Sequence, residues 1–292
     1  QRGYSLGSGH HYLMTPEQTG EIFEKMRALP CSERSQIPGI SKDRADVILS
    51  GIAVLQNLLA LAGSDCLLIS NKGLRDGVLY AKARQDLLVP SVEEIRAHSV
   101  ELFMARYQVD KEHACHVCNL ALRLFDEGGR TGLHCWGSEA RGLLEVAALL
   151  HDIGKSINVY EASQHTFYLL SQVLLLGYTH RERLLIAMIA SYKNNKQLQV
   201  QLARHPDILV KTDKEIIEKL GHFVLLAKTL DRSWTRLIRD LRLLENNQGI
   251  LLQCISTRED LIEFSLLEDV LMKASKVFKR AFSYEVLQEK HL

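Results

Sequence analysis

Apolar residues recur at three- and four-residue spacing through most of the 292-residue chain, and this period predicts a mainly helical protein. The segment Thr-Pro-Glu-Gln at 15–18 combines an N-cap, a first-turn proline and a capping-box partner, so a helix is expected to run from there to about Leu29. Lys42 to Ala62, which Gly63 follows, is expected to form a long second helix. The other predicted helices are Ser91 to Tyr107, Asp110 to Asp126, Ser138 to Asp152, Ser163 to Leu176, Thr179 to Tyr192 and Thr212 to Leu230.

Two other parts of the chain have hydrophobic patterns typical of strands rather than helices. Asp65 to Ser70 is a short apolar run bounded by turn residues, which predicts a buried strand. Trp234 to Leu244 and Ile250 to Ser256 have a period close to two and flank an Asn-Asn-Gln-Gly turn, which predicts a hairpin. A helix from Leu261 to Phe282 and a last strand from Tyr284 to Leu287 would complete a small α+β unit.

Length and charge narrow the class of protein. A chain of 292 residues exceeds what one core usually fills, so two or three domains are expected. Its 36 basic and 35 acidic residues nearly balance, which gives no overall field for specific nucleic-acid binding. No apolar stretch approaches the roughly 20 residues needed to span a bilayer, so no membrane span is expected.

The cysteines indicate the redox compartment of the protein, and the first residue indicates a fragment. Six cysteines are scattered through segments with helix or strand patterns, which suits reduced thiols in a cytoplasm better than a disulfide framework. Cys115 and Cys118 form a CxxC pair inside a predicted helix without a second pair, so we interpret them as small core thiols. The chain begins with Gln1 rather than methionine, and a fragment or trimmed chain is expected.

Metal-binding side chains cluster in the helical part of the pattern. The apolar run Leu143 to Lys155 (LLEVAALLHDIGK) ends with His151 beside Asp152, while His113 heads another predicted helix and Asp231 ends a third. This H…HD…D arrangement resembles the HD phosphohydrolase superfamily. Mixed imidazole and carboxylate ligands suit Mn²⁺, Fe²⁺, Co²⁺ or Mg²⁺. We expect these four residues to bind a divalent metal ion, Mg²⁺ or Mn²⁺ before the others.

Alternatives stay open at this site. The four side chains could pair with one another without holding a metal. His165 is a candidate for a further ligand, but Lys193 stands where related domains often carry a histidine and would repel a second cation, so one metal is expected rather than two. Lys155 and Lys193 are candidates for contacts to phosphate groups, and together with Lys196 they could line a groove for polyphosphate or an alarmone.

The first eighty residues carry a more specific resemblance. The motifs are Ile-Pro-Gly-Ile at 37–40, Arg-Ala-Asp-Val-Ile-Leu-Ser-Gly at 44–51 and Gly-Leu-Arg-Asp-Gly at 73–77. Their order resembles the end of the second actin-like domain of the exopolyphosphatase / guanosine pentaphosphate phosphatase family. The usual last motif of that family is Gly-Leu-Arg-Glu-Gly, from which Asp76 is a conservative departure.

The resemblance implies an order of domains. Residues 1–82 would be the end of an actin-like, ribonuclease H-like domain, residues 83–232 an all-helical HD domain, and residues 233–292 a small α+β domain. The fold class expected is therefore mainly α with a minor α+β part.

The resemblance also implies a hydrolase of terminal phosphoanhydride bonds, which acts with Mg²⁺ on polyphosphate or on the 5′-terminal phosphate of guanosine pentaphosphate. The family's glycine loops, metal-binding aspartate and catalytic glutamate are expected upstream of residue 1, so this chain alone is expected to lack polyphosphatase activity. Arg44 and Arg75 are the candidates for substrate contacts here, because a guanidinium binds phosphate in a bidentate manner. A cytoplasmic homodimer that binds polyphosphate or guanosine penta- or tetraphosphate is expected.

Two other functions stay open at this point. A metal-dependent nucleotide phosphohydrolase could use the HD ligands themselves for its chemistry. A non-enzymatic HD domain could instead serve for dimerisation or for sensing polyphosphate or an alarmone.

Overall fold

The computed structural model describes residues 9–10, 12–83, 91–173, 175–258 and 262–288. The chain divides into two compact units, residues 1–88 and 89–292, which are described separately. Helices dominate both units, and the described strands form one two-stranded and one three-stranded sheet. The prediction of a mainly α chain with a minor α+β part is confirmed.

The first unit is built around a pair of helices. Its described elements are β1 (Leu13–Met14), α1 (Pro16–Arg27), α2 (Cys31–Arg34), a 3₁₀ turn (Lys42–Arg44), α3 (Ile48–Ala62), β2 (Leu67–Leu68) and α4 (Leu74–Ala83). The predicted capping box is present, since Thr15 Oγ1 accepts the Gln18 N–H at 3.3 Å and Gln18 Oε1 accepts the Thr15 N–H at 3.2 Å. Helices α1 and α3 pack together over the buried side chains of Met26, Ile52 and Leu59.

Two predictions for the first unit are wrong. The long helix begins at Ile48 rather than Lys42, because Asp46 Oδ1 accepts the backbone N–H of Val47 at 2.9 Å and favours a turn there. The strand predicted at 65–70 covers two residues, and Leu68 is 56% exposed. It pairs with another two-residue strand, β1, so it is a short exposed ribbon rather than a buried strand.

The second unit contains the predicted run of helices. Its described helices before the sheet are α5 (Val92–Arg106), α6 (Lys111–Arg130), α7 (Ser138–Leu149), α8 (Ala162–Gln172), α9 (His180–Ala190), α10 (Asn195–Arg204) and α11 (Asp213–Leu230), with a 3₁₀ turn at Ile153–Ser156. The capping boxes at Ser91 and Thr179 are present. Helix α7 ends at Leu149, three residues before the predicted end at Asp152, so the His-Asp pair lies in a turn.

One helix of this unit does not follow from the hydrophobic pattern. Helix α10 (NKQLQVQLAR) is mostly polar, and its buried residues are Leu198 and Gln201. Asn194 begins it, since Asn194 Oδ1 accepts the Gln197 N–H at 2.9 Å.

A small sheet closes the second unit. It consists of β3 (Ile238–Asn246), β4 (Gly249–Ser256) and β5 (Phe282–Gln288), with α12 (Ile262–Phe278) connecting β4 to β5. The predicted hairpin is confirmed, and β5 pairs with β4 in parallel. Strand β3 begins later than predicted because Trp234 and Arg236 have φ values of 60° and 55°, which no strand accommodates. The predicted start of α12 at Leu261 lies outside the described residues.

The sheet and the helices of the second unit share a core. Strand β3 packs on α6, and α12 packs on α11. A separate domain at 233–292 therefore stays a prediction. In the described part of the chain, no helix has both the length and the apolar character that crossing a membrane requires.

Candidate metal centre

Three helix ends of the second unit meet at the predicted metal ligands. His113 lies in the first turn of α6, where Asp110 Oδ1 accepts its backbone N–H at 2.8 Å. His151 and Asp152 follow α7, whose buried apolar stripe anchors them to the core. Asp231 is the residue at which α11 ends. The fold thus brings all four predicted residues to one place.

Three of these residues form a cluster that could hold a metal ion. His113, His151 and Asp152 each present a ligand atom, and these atoms lie within 4.8 Å of one another. Asp152 Oδ2 lies 3.6 Å from His113 Nε2 and 3.4 Å from His151 Nε2. Two imidazole nitrogens and one carboxylate oxygen suit a borderline divalent ion. Three protein ligands also leave coordination positions for water or a phosphate oxygen.

Asp231 is placed behind this cluster rather than within it. Its Oδ2 atom lies 2.7 Å from His113 Nδ1, on the opposite side of the ring from Nε2. Its Oδ1 atom accepts the backbone N–H of Arg236 at 2.7 Å. A carboxylate on one ring nitrogen fixes the tautomer and leaves the other nitrogen free to bind a metal. Asp231 is therefore placed to orient His113.

A backbone carbonyl group orients the His151 ring, as the Asp231 carboxylate orients the His113 ring. Its Nδ1 atom lies 2.7 Å from the carbonyl oxygen of Ala148, so Nδ1 carries the proton and donates it. Its Nε2 atom is buried and has no hydrogen-bond partner among the described residues. A buried acceptor without a donor is costly, and a bound metal ion would satisfy it. The side chains present therefore fit a divalent ion.

Two of the three candidate ligands, His151 and Asp152, have pKa values that favour the deprotonated form, which is the form that binds a metal ion. Burial lowers the pKa of His151, which keeps it neutral at pH 7. Burial alone would raise the pKa of Asp152, but its contacts with His151 and His113, together with the charge of Lys228, hold this pKa well below its usual range. Burial lowers the pKa of His113, but Asp152 and Asp231 outweigh it, so this pKa is raised. Metal binding would displace the proton of His113.

The cluster opens into a cavity of about 560 Å³. His113, Asp152, Lys155 and Trp234 line it, together with the loop of residues 106–110. Trp234 stacks on His113 with ring centroids 4.4 Å apart, and the Lys155 ammonium group lies 5.0 Å from the centre of the Trp234 ring. Lys155 Nζ also binds Asp152 Oδ2. Lys155 is thus next to any ligand that reaches the cluster.

The turn that carries the His-Asp pair is held by a close contact with α8. Thr166 Oγ1 accepts the Gly154 N–H at 3.1 Å and donates to the carbonyl oxygen of His151 at 3.2 Å. A Cβ atom on Gly154 would lie 2.5 Å from the Thr166 nitrogen and closer still to the carbonyl oxygen of Ala162. Only glycine allows the turn to approach α8 this closely.

The other predicted residues lie outside the cluster. Lys193 is exposed after α9, and His165 is half-buried on α8 without joining the described cluster. Arg44 and Arg75 are exposed in the first unit. Their proposed substrate contacts stay predictions.

The prediction that both cysteines of the CxxC pair are core thiols is confirmed for Cys118 and wrong for Cys115. Cys115 is exposed and Cys118 is buried on α6, and both are free. Burial raises the pKa of the Cys118 thiol to about 12, which leaves it unreactive at neutral pH.

Sequence reasoning missed two residues near the cluster, Trp234 and Lys228. Lys228 lies in the last turn of α11 and its charge acts on both His151 and Asp152. Its position three residues before Asp231 on a predicted helix was a signal for it, because residues at this spacing lie on the same side. Trp234 depends on a left-handed backbone conformation, which the hydrophobic pattern does not indicate.

Comparison with known proteins identifies the family. The model of the Ppx/GppA phosphatase family, domain III, matches residues 95–271, which is more than half of the chain. This chain belongs to the Ppx/GppA phosphatase family. A second model, described as Ppx/GppA phosphatase family, matches residues 3–86. The family resemblance seen in the sequence motifs is therefore confirmed.

Two relatives have the same name, guanosine-5′-triphosphate,3′-diphosphate pyrophosphatase. The protein of Vibrio vulnificus (strain YJ016) is 32% identical over 190 residues, which cover 63% of this chain and 36% of the relative. The protein of Vibrio parahaemolyticus serotype O3:K6 (strain RIMD 2210633) is 32% identical over 230 residues, which cover 76% of this chain and 43% of the relative. The chain thus spans less than half the length of these curated relatives.

Proposed function

We propose that this chain is part of a cytoplasmic, homodimeric phosphoanhydride hydrolase of the Ppx/GppA family. Its substrate would be guanosine pentaphosphate, whose 5′-terminal phosphate is removed, or the end of a polyphosphate chain. The observation that carries this proposal is the family match, which includes domain III over 95–271, together with the pyrophosphatase name of both relatives. Phosphatases of this family in general depend on a divalent metal ion.

The roles of the residues in this chain follow from the charge of such substrates. Phosphoryl transfer depends on positioning and on cations that stabilise charge on the transferred group. Arg44 and Arg75 are exposed and would contact substrate phosphate groups in the first unit. The carboxylate that activates water would be supplied by the actin-like domains that the resemblance places before residue 1.

Phosphate release tests this proposal. The 292-residue chain alone is expected to release no phosphate from guanosine pentaphosphate or long-chain polyphosphate at the rate of an enzyme. Adding the actin-like domains is expected to give Mg²⁺-dependent release. Enzyme-like release by the chain alone would show that its own residues suffice, and inactivity of the longer protein on both substrates would remove the proposal.

A second candidate function is supported by the cluster itself. His113, His151 and Asp152 would hold a divalent ion for hydrolysis of a nucleotide phosphate, with Asp231 orienting His113. When bound, such an ion would polarise a phosphoryl oxygen and lower the pKa of a water molecule. Lys155 would bind an oxygen of the substrate phosphate, and Trp234 would limit the access of water to the cluster.

Metal titration separates this candidate from the first. The purified chain is expected to bind one Mn²⁺ ion, and an Asp152→Ala variant is expected to lose it. Under the second function, the same variant of the longer protein loses nucleotide hydrolysis. Under the first, it keeps polyphosphatase activity. Absence of stoichiometric Mn²⁺ binding by the unmodified chain would exclude the metal centre.

A further inference from the structure

A groove between α5, α7 and α9 of the second unit has an apolar floor and an acidic rim. Its volume is about 850 Å³. Buried and half-buried apolar side chains of all three helices form the floor: Val100, Met104, Leu143, Val146, Leu149 and Leu185. Four exposed carboxylates form the rim: Glu93, Glu101, Glu139 and Glu145.

The basic side chains of the groove do not neutralise this rim. Arg96 Nη2 lies 2.8 Å from Glu182 Oε1, and Arg181 binds the buried Asp213. Among the residues that the structure describes, none of the four rim carboxylates takes part in an ion pair. One further basic residue, Lys111, lines the groove. The groove therefore favours a partner surface that carries basic residues around an apolar one.

Helix α10 presents such a surface to solvent. Residues 194–204 include two basic residues and no acidic one. Lys196, Val200 and Arg204 follow one another at four-residue spacing, so they lie on one face of the helix. All three are exposed, Val200 to 51%, whereas the buried Leu198 and Gln201 lie on the other side. The outer face of α10 is thus an apolar side chain between two cations.

We propose that α10 of one copy of this chain lies in the groove between α5, α7 and α9 of a second copy. Lys196 and Arg204 would lie against the rim carboxylates, and Val200 against the apolar floor. Each copy carries both surfaces, so the contact occurs twice in a dimer with two-fold symmetry. The inference rests on the homodimer of the proposed function, names its surfaces, and is independent of the chemistry at the metal cluster.

Charge reversal followed by sedimentation of the 292-residue chain tests the inference. The helix variant combines Lys196→Glu with Arg204→Glu, and the rim variant combines Glu101→Lys with Glu145→Lys. Each is expected to raise the dissociation constant of the dimer about a hundredfold or more, because like charges then face each other. The other two rim carboxylates are left unchanged, since they lie in the first turns of α5 and α7 and stabilise those helices.

An equimolar mixture of the helix variant and the rim variant is the sharpest measurement. The reversed helix of the first then meets the reversed rim of the second, and the two unmodified surfaces meet each other. A heterodimer is expected, with a dissociation constant within about tenfold of that of the unmodified dimer. Lys273→Glu with Lys276→Glu is the matched control, because it makes the same change of charge at exposed positions on α12. It is expected to change dimerisation less than about threefold.

The cysteines provide a test that needs no variant, which holds if a reversed chain melts at a lower temperature. Cys115 is exposed and lines the groove, whereas Cys135 is exposed outside it. Alkylation by N-ethylmaleimide, followed by mass spectrometry, is expected to slow about fivefold or more at Cys115 when the unmodified chain dimerises. The rate at Cys135 is expected to stay the same.

The outcomes separate this inference from the proposed function. A dimer that neither reversal weakens, or whose Cys115 reacts as fast as in the monomer, overturns the inference and leaves the homodimer intact. A mixture of the two variants that stays monomeric also overturns it. An unmodified chain that is monomeric at every concentration removes the inference and the homodimer together, whereas phosphate release alone decides the hydrolase activity.

Discussion

Asp231 contacts the candidate metal cluster through His113 rather than directly. One oxygen lies 2.7 Å from His113 Nδ1, and the other accepts the Arg236 N–H at 2.7 Å. A histidine ligand that donates its second N–H to a carboxylate is held in one tautomer and one orientation, and its basicity is raised. The sequence pattern placed Asp231 among the ligands, whereas the geometry places it behind His113.

Asp231→Asn is therefore expected to weaken Mn²⁺ binding without abolishing it. The amide keeps the shape of the side chain and can still accept a hydrogen bond, but it lacks the charge that supports His113. The expected loss is about tenfold to a hundredfold in affinity, measured by calorimetric titration. Asp152→Asn, within the cluster, is expected to cost more. An equal or greater loss at Asp231 would show that its oxygen binds the metal directly.

At the residue scale, the candidate ligands could be recognised from the sequence because their residue types and their order along the chain are distinctive. His113, His151 and Asp152 have side chains that can bind a metal ion, and they lie near the ends of apolar helices. Both features can be recognised from the sequence alone. Lys228 is an ordinary helix residue by type, and its spacing from Asp231 was the signal that its charge would act near His151 and Asp152. Trp234 reaches His113 through a left-handed backbone conformation. This contact of Trp234 follows from the tertiary structure and was not predictable from the hydrophobic pattern.

The turn between α7 and α8 determines where the His-Asp pair points. Gly154 in this turn contacts the beginning of α8 so closely that a Cβ atom would lie 2.5 Å from the Thr166 nitrogen. Thr166 Oγ1 also joins the Gly154 N–H to the carbonyl oxygen of His151. The position of α8 and the geometry of the two candidate ligands, His151 and Asp152, are therefore linked.

Gly154→Ala is expected to destabilise the protein and to weaken Mn²⁺ binding together. The methyl group forces the turn away from α8, at a cost of about 2 kcal/mol or more in the free energy of unfolding. Gly142→Ala is the matched control, because Gly142 lies inside α7 with no atom within 4 Å of an added Cβ. Its expected effect is a gain of up to about 1 kcal/mol. Urea denaturation measures both, and equal stability of the two variants would contradict the close contact.

At the element scale, capping chemistry predicted helix starts well. The capping boxes at Thr15, Ser91 and Thr179 all form, because each satisfies two backbone N–H groups within a few residues. The start of α3 was missed because Asp46 bonds its neighbour's N–H and competes with the helix. Helix α10 was missed because its surface is mostly polar, and its position is stabilised by a few buried contacts rather than by an apolar stripe.

At the scale of the whole molecule, the order of parts could be predicted from motifs, but their packing could not. The Ile-Pro-Gly-Ile and Gly-Leu-Arg-Asp-Gly motifs and the H…HD…D pattern indicated the family that the comparisons confirm. The sequence also indicated a change of period near residue 233. It did not show that the small sheet packs on α6 and that α12 packs on α11 within one compact unit, since that depends on side chains far apart in the chain.

The distribution of the core predicts how the two units behave when separated. The main cluster of buried hydrophobic side chains runs from Val100 to Phe278 and lies wholly within the second unit. A polypeptide of residues 89–292 is therefore expected to fold alone, to melt cooperatively within about 5 °C of the 292-residue chain, and to bind Mn²⁺ with the same affinity.

The first unit is different. Its described α-helices leave large apolar side chains such as Leu61 and Leu74 more than four-fifths exposed, at 86% and 85%. A polypeptide of residues 1–88 is expected to show no cooperative transition, because little apolar surface is buried against the entropy of ordering the chain. Circular dichroism and calorimetry of both polypeptides measure this. Aggregation of residues 89–292, or a midpoint lowered by more than about 10 °C, would show that the second unit depends on the first.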